Sequence, residues 1–190
     1  MGKNVMCWLI LAAWMMPQAP LLGAEHRHAD GHVHGVAEIN LASEGRTVVV
    51  EFRSPTEGVM GFEHEAKSTA DIKKRDAALR LINEKFDQMV ILDSKLNCKS
   101  SGAKVEIVRA GAPGPKHASH GGHQDHKKAG EHREVFASFT YACELSPSGS
   151  RVRFGVTKHF PAIHELKVQI LSDAKQSGAT IKKDRGEVGL

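Results

Sequence analysis

The chain has 190 residues, 26 basic against 22 acidic side chains and a formal net charge of +4, a length that suits one domain of ordinary size. So weak a charge imbalance argues against a nucleic-acid partner, and seven Phe with one Tyr offer no stacking platform for bases. The abnormal number is histidine, at twelve.

Residues 1–24 read as a secretory signal peptide. Lys3 is the lone positive charge, Val5 to Met16 is apolar, and Gly23-Ala24 supplies small residues for cleavage. The apolar run is too short to span a bilayer, so no stable membrane insertion is expected after cleavage. Loss of this leader removes Lys3, Cys7, Trp8 and Trp14, and leaves 25 basic against 22 acidic residues. It leaves only Met60, Met89, Cys98 and Cys143 as sulfur-bearing side chains.

Residues 25–34 form a polar, His-rich arm. Ala37, Ile39 and Leu41 then alternate with polar neighbours, as do Val48, Val50 and Phe52 after the turn Ser43-Glu44-Gly45-Arg46; the pattern predicts a β-hairpin. Pro55 ends it. Residues 56–68 read as irregular. Ser68 with Asp71 three residues on predicts a helix N-cap. Ile72, Leu79, Ile82, Phe86 and Met89 predict one apolar stripe on a helix of about 20 residues. Lys73, Lys74, Arg75, Asp76 and Glu84 form its wet face.

Further strands are predicted around Val105 and Ile107, from Val135 to Cys143, over Val152, Phe154 and Val156, and over Leu166, Val168 and Ile170. Phe160-Pro161 is a bend, and Ala179 to Ile181 has short strand character. Residues 111–131 lack apolar periodicity and hold Gly, Pro, Lys and His, so they read as a long flexible loop. The order of elements predicts an α+β domain over 35–190, with an antiparallel sheet of about five to seven strands, one main helix and a His-rich loop.

Nine of the twelve histidines lie in two short tracts, 26–34 and 117–132. The first holds His26, His28, Asp30, His32 and His34, all at even positions, which an extended chain places on one face. The second holds His117, His120, His123 and His126 at every third position, with His132 beyond. His-rich tracts of this kind point to metal binding, and ligation can order a segment that has no core of its own. His64, between Glu63 and Glu65 just before the helix, suits a ligand with carboxylate support. A single histidine such as His159 is ordinarily structural.

Two cysteines in an exported chain argue for one Cys98–Cys143 disulfide. The rival is a thiolate metal site, which the wide spacing and the lack of a CxxC motif disfavour. Without free thiolate, and with two scattered Met, the chain suits Cu(I) poorly. Calcium prefers oxygen cages over imidazole. Imidazole with carboxylate suits Zn(II), Ni(II) and Cu(II), and donor chemistry alone leaves these three open.

The leader, the run His32-Val33-His34-Gly35-Val36-Ala37-Glu38-Ile39-Asn40-Leu41, Ser54-Pro55 and Gly61-Phe62-Glu63-His64 together resemble the ZrgA-like family of bacterial periplasmic zinc-binding proteins. Later landmarks agree: Cys98, a His-rich loop, His132, Cys143, Phe160-Pro161 and the strand Leu166 to Leu171. The resemblance implies a Gram-negative periplasmic protein of zinc acquisition, with zinc as its ion, working beside an ABC-type importer at the inner membrane. Two departures stand out. Glu134 sits where the family more often has Asp, and His159 and His164 flank the Phe-Pro bend.

An enzyme finds little support. There is no His-Glu-x-x-His, no Gly-x-Ser-x-Gly elbow and no P-loop. The expected function is a zinc scavenger that passes its ion to transport machinery. A His-rich buffer or scaffold for Ni or Cu(II) is the alternative, with a zinc-dependent enzyme behind it. The tighter zinc ligands are expected in the ordered part, at His64 with His32 or His34, and a weaker class in His117 to His126. Zinc needs neutral imidazole, whose reference pKa is about 6.5. Zinc affinity should therefore fall steeply as pH drops through about 6. Calorimetric titration at pH 7.5 and pH 5.5 checks this, and a flat affinity would count against imidazole ligands.

Overall fold

The computed structural model describes residues 33–110, 132–173, 175–183 and 186–190. The predicted leader, the arm residues His26, His28, Asp30 and His32, and the tract His117, His120, His123 and His126 lie outside this range. Among the described residues no helix is long and apolar enough to cross a membrane.

Alternating residues build the predicted hairpin, β1 (Val36–Glu44) and β2 (Thr47–Pro55), in antiparallel register from Glu38↔Arg53 to Glu44↔Thr47. Gly45 turns it with φ 57°, a conformation that glycine adopts without a Cβ penalty. A short helix α1 (Thr56–Met60) follows directly. The long helix α2 (Thr69–Met89) comes next, then β3 (Val90–Leu92) and a single 3-10 turn at Ser94–Leu96. β4 (Lys99–Arg109), β5 (Arg133–Ala142) and β6 (Arg151–Phe154) lead to the short helix α3 (Val156–His159). β7 (Glu165–Ser172), β8 (Gln176–Lys182) and β9 (Glu187–Gly189) complete the chain.

Six strands form one sheet in the order β4-β5-β2-β1-β7-β8, and β3-β6-β9 form a second. Inward residues of the large sheet, Ile39, Val50, Phe52, Phe139 and Ile170 among them, join Ile82, Phe86 and Met89 of α2 in one core. Phe86 is the hinge of that packing. Its ring stacks on Phe139 at 4.0 Å and meets Phe52 edge-on at 6.4 Å, the geometries that aromatic quadrupoles favour. On the opposite face Arg53 lies 4.7 Å over the Phe136 ring and 3.4 Å from the Glu134 carboxylate. Glu134 is buried, so the Arg53 guanidinium supplies the opposite charge that burial demands.

The α+β expectation with one main helix holds, with several differences of detail. The sheet is mixed, because β1 pairs with β7 in parallel from Val36↔Glu165 to Ser43↔Ser172. Alternation reads identically in both chain directions, so periodicity carries no information about it. Residues 56–60, expected to be irregular, form α1, and Val156 opens α3 where a strand was expected. β3 and β9 have three residues each, too few for a period to show. β4 begins six residues before Val105, through an exposed stretch that has no buried face to mark it. On α2 Ile72 is exposed, and Ala78 joins the buried stripe instead.

Cys98 and Cys143 are bridged. They sit just outside Lys99 and Ala142, which face each other where β4 pairs with β5, so the bond staples that end of the sheet. A closed loop of 45 residues is worth roughly 4 kcal/mol on the chain-entropy view. Replacing both cysteines by alanine should lower unfolding free energy by about that amount. Denaturant titration measures the loss; an unchanged midpoint would show that the staple contributes nothing.

Candidate functional site

The register of the large sheet gathers distant segments at one end. β1 and β7 start there together, with Val36 opposite Glu165. β2 ends and β5 begins there, with Pro55 opposite Glu134. The turn before β1, helix α1 after β2, the loop after α1, residue 132 and the bend before β7 are therefore neighbours in space.

Each segment places a donor. A backbone bond from the Val36 N–H to the Val33 carbonyl at 3.1 Å closes the turn that carries His34. Pro55 caps α1 at φ −49°, a value that its ring presets, and Glu57 follows in the first helical turn. Gly61 ends α1 in the left-handed region at φ 83°, its N–H on the Glu57 carbonyl. That reversal, which favours glycine, sends Phe62 and Glu63 back across the sheet end.

His34 Nδ1 contacts Glu57 Oε2 and lies 4.0 Å from Glu63 Oε1. The ligand atoms of His34, Glu57 and Glu63 all lie within 4.8 Å of one another. The other oxygen of Glu63, Oε2, is 3.2 Å from His132 Nδ1. One carboxylate thus contacts His132 with one oxygen and faces His34 with the other. One imidazole and two carboxylates form a borderline N/O donor set that could hold a divalent ion such as zinc and leave a coordination position open to water. Solvent reaches all three side chains.

His64, expected to be a ligand with His32 or His34, is not part of this group. Its ring lies on Phe62 at 4.7 Å, and Nε2 is 3.4 Å from Asp71 Oδ2. Asp71 also receives the Ser68 hydroxyl at 2.6 Å and returns its own N–H to Ser68 Oγ at 3.1 Å, the reciprocal cap foreseen for α2. The Ser68 hydrogen bond first, and His64 second, hold the Asp71 carboxyl below its ordinary range. These residues border an open cleft of ≈ 630 Å³ that also meets Glu65, Lys67, His132 and Arg133.

Of the residues singled out from sequence, the structure brings together His34, Glu63 and His132, while His64 lines the same cleft as Glu63 and His132 but joins no such group among the described residues. Glu57 was missed. An acid after Pro55-Thr56 reads most simply as a helix-start charge, and the signal that α1 exists at all is the Ser54-Pro55 pair. Asp71 was seen only as a capping residue.

A small α+β domain with a His-carboxylate group at the end of its main sheet falls in the class of proteins equipped to handle a divalent metal ion. The chain belongs to the ZrgA family of zinc uptake proteins, whose family model matches residues 31–190. A search of curated proteins returns no relative.

The lowered pKa of Asp71 has a consequence for stability. A carboxyl whose folded pKa is depressed stabilises the fold above its unfolded pKa, and that contribution vanishes as pH falls through the folded value. Asp71→Asn should therefore be less stable than the wild type at pH 7, and the difference should close in acid. Thermal melts of the two across pH 7 to 3 check this; a gap that persists unchanged in acid would point to lost capping geometry instead of charge.

Proposed function

We propose that the chain is a periplasmic zinc scavenger that binds Zn(II) at its sheet-end donor group and passes it to ABC-type importer components at the inner membrane. The observation that carries this reading is the group itself. His34, Glu57 and Glu63 come from three separate segments, yet their donor atoms lie within 4.8 Å of one another. Membership of a zinc uptake family supports zinc as the ion.

The two His-rich tracts fit the same scheme by their attachment. His26, His28, Asp30 and His32 run directly into His34, and His117, His120, His123 and His126 run toward His132. Both His34 and His132 face Glu63. Tethered donors raise the local ligand concentration around the group, so an ion caught anywhere along either tract is held close to it. His64 adds a further imidazole in the cleft that His132 also lines. On this reading the tracts collect and the sheet-end group holds.

The donor set also accepts Ni(II) and Cu(II), and Cu(II) stands above zinc in intrinsic affinity. A His-rich buffer for those ions is the second reading, and native mass spectrometry of protein taken from the periplasm separates the two by mass and count.

Calorimetric zinc titrations at pH 7.5 test the site. His34→Ala and Glu57→Gln should each weaken the tight class beyond the about 10–100-fold typical of changes outside the ligand shell. Deleting 111–131 should lower the number of ions and leave the tight class in place. Tight binding that survives both point variants would rule out this group, and tight binding lost only on the deletion would move the site to the loop.

A further inference from the structure

We infer that His164 is a positioning residue for zinc: its ring sets the turn that carries His34, and the segment it belongs to holds His34 and Glu57 at ligand spacing. The inference rests on the proposed sheet-end group. His164 is part of no donor group found among the described residues.

Two consecutive side chains make close approaches to the two donor-bearing segments. Gly35 follows His34 and has φ +76°. A Cβ at Gly35 would overlap Cε1 and Nδ1 of the His164 ring and stand 3.0 Å from the Ala162 carbonyl. The Cε1–Nδ1 edge of the imidazole therefore occupies the space that a Cβ would take on the residue beside the ligand. The backbone doubles the grip, because the N–H groups of His164 and Glu165 both donate to the Gly35 carbonyl, at 2.9 and 3.2 Å.

One residue earlier, Ile163 does the same to the other donor's carrier. Ile163 is fully buried. A Cβ on Gly58 would meet its Cγ1 at 3.1 Å and Ser54 Oγ at 3.0 Å. Gly58 follows Glu57 inside α1. Ile163 and His164 thus press on the two glycines that sit immediately after two of the three ligands.

The segment that applies this pressure is itself anchored. Ile163 N–H donates to the Phe160 carbonyl at 3.0 Å, the His164 carbonyl accepts from Lys183 N–H at 3.3 Å, and Val36 pairs with Glu165 in the parallel register. An anchored base under two donors fixes their separation before an ion arrives, so binding orders fewer groups. The contact at Gly35 is made by the edge of a planar ring, and it needs no lone pair. That separates positioning from ligation.

The test compares His164→Ala, His164→Phe and, as control, His34→Ala, each in the full mature chain. Zinc affinity is read by competition with a chromophoric chelator at 25 °C, and folding by the melt of the metal-free protein. His164→Ala should weaken zinc binding about tenfold, the range of supporting residues around a metal, while its melting midpoint moves by no more than about 3 °C. His164→Phe, flat but unable to ligate, should return affinity to within about threefold of wild type. Should His164→Ala fail to fold, His164→Leu, which fills the space without a flat ring, takes its place with the same expectation. Unchanged affinity in the Ala or Leu variant, with affinity lost in His34→Ala, overturns the inference and keeps the site. Weak binding in His164→Phe as severe as in His164→Ala makes His164 a ligand, which also overturns it. Unchanged affinity in His34→Ala overturns the proposed site instead.

Discussion

The parallel pairing of β1 with β7 is the constraint on which the rest of the molecule depends. Parallel neighbours need a long crossover, and here that crossover is almost the whole domain, from the end of β1 at Glu44 to the start of β7 at Glu165. Because the two strands run the same way, both begin at one end of the sheet. The antiparallel β2 and β5 then deliver an end and a beginning to the same place. Four sequence-distant segments meet there without any contact designed to gather them. The core under α2 and the Cys98–Cys143 staple at the far side of β4 and β5 keep the sheet rigid, and a rigid sheet is what gives the end group a defined geometry.

The legible part of the fold was whatever produced a period. The β1–β2 hairpin, α2 with its Ser68 cap and β7 bury one face more than the other, so alternation or a helical stripe marks them, and β5, buried on both faces in its first half, still shows alternating apolar residues. What escaped had no such face. The first half of β4 is exposed throughout, and α1, α3, β3 and β9 are shorter than a period can reveal. Strand direction escaped for a different reason, since a two-residue period is symmetric under reversal.

The candidate site divides in the same way. Histidine is rare enough that clustering alone singled out His34 and His132, and Glu63 came with the Gly-Phe-Glu-His run. Glu57 could not be found so, because one acid among 22 acidic residues carries no signal until α1 is folded beside the turn at His34. Adjacency in sequence does not give Glu63 and His64 the same partners. Glu63 meets His34 and His132, whereas His64 meets Asp71, although both line the same cleft.

A carrier must release what it binds, and the donor set of the proposed site suits that demand. Closed zinc sites use four protein ligands, often thiolates, and hold zinc as part of the fold. Here Cys98 and Cys143 are consumed in a disulfide, so sulfur staples the described fold. The sheet-end group offers three protein donors, all reached by solvent, so an incoming ligand can attack the open position without unfolding anything. Glu63 adds a path for exchange. With Oε1 toward His34 and Oε2 toward His132, a rotation of one carboxylate shifts its partner from the turn beside the first His-rich tract to the residue at the end of the second. Zinc has no ligand-field preference for one geometry, so it can pass between such partners by exchanging one ligand at a time. On the proposed reading the sheet end and the open ligand shell are complementary: the first would hold the donors close together, and the second would leave a bound ion within reach of the next ligand.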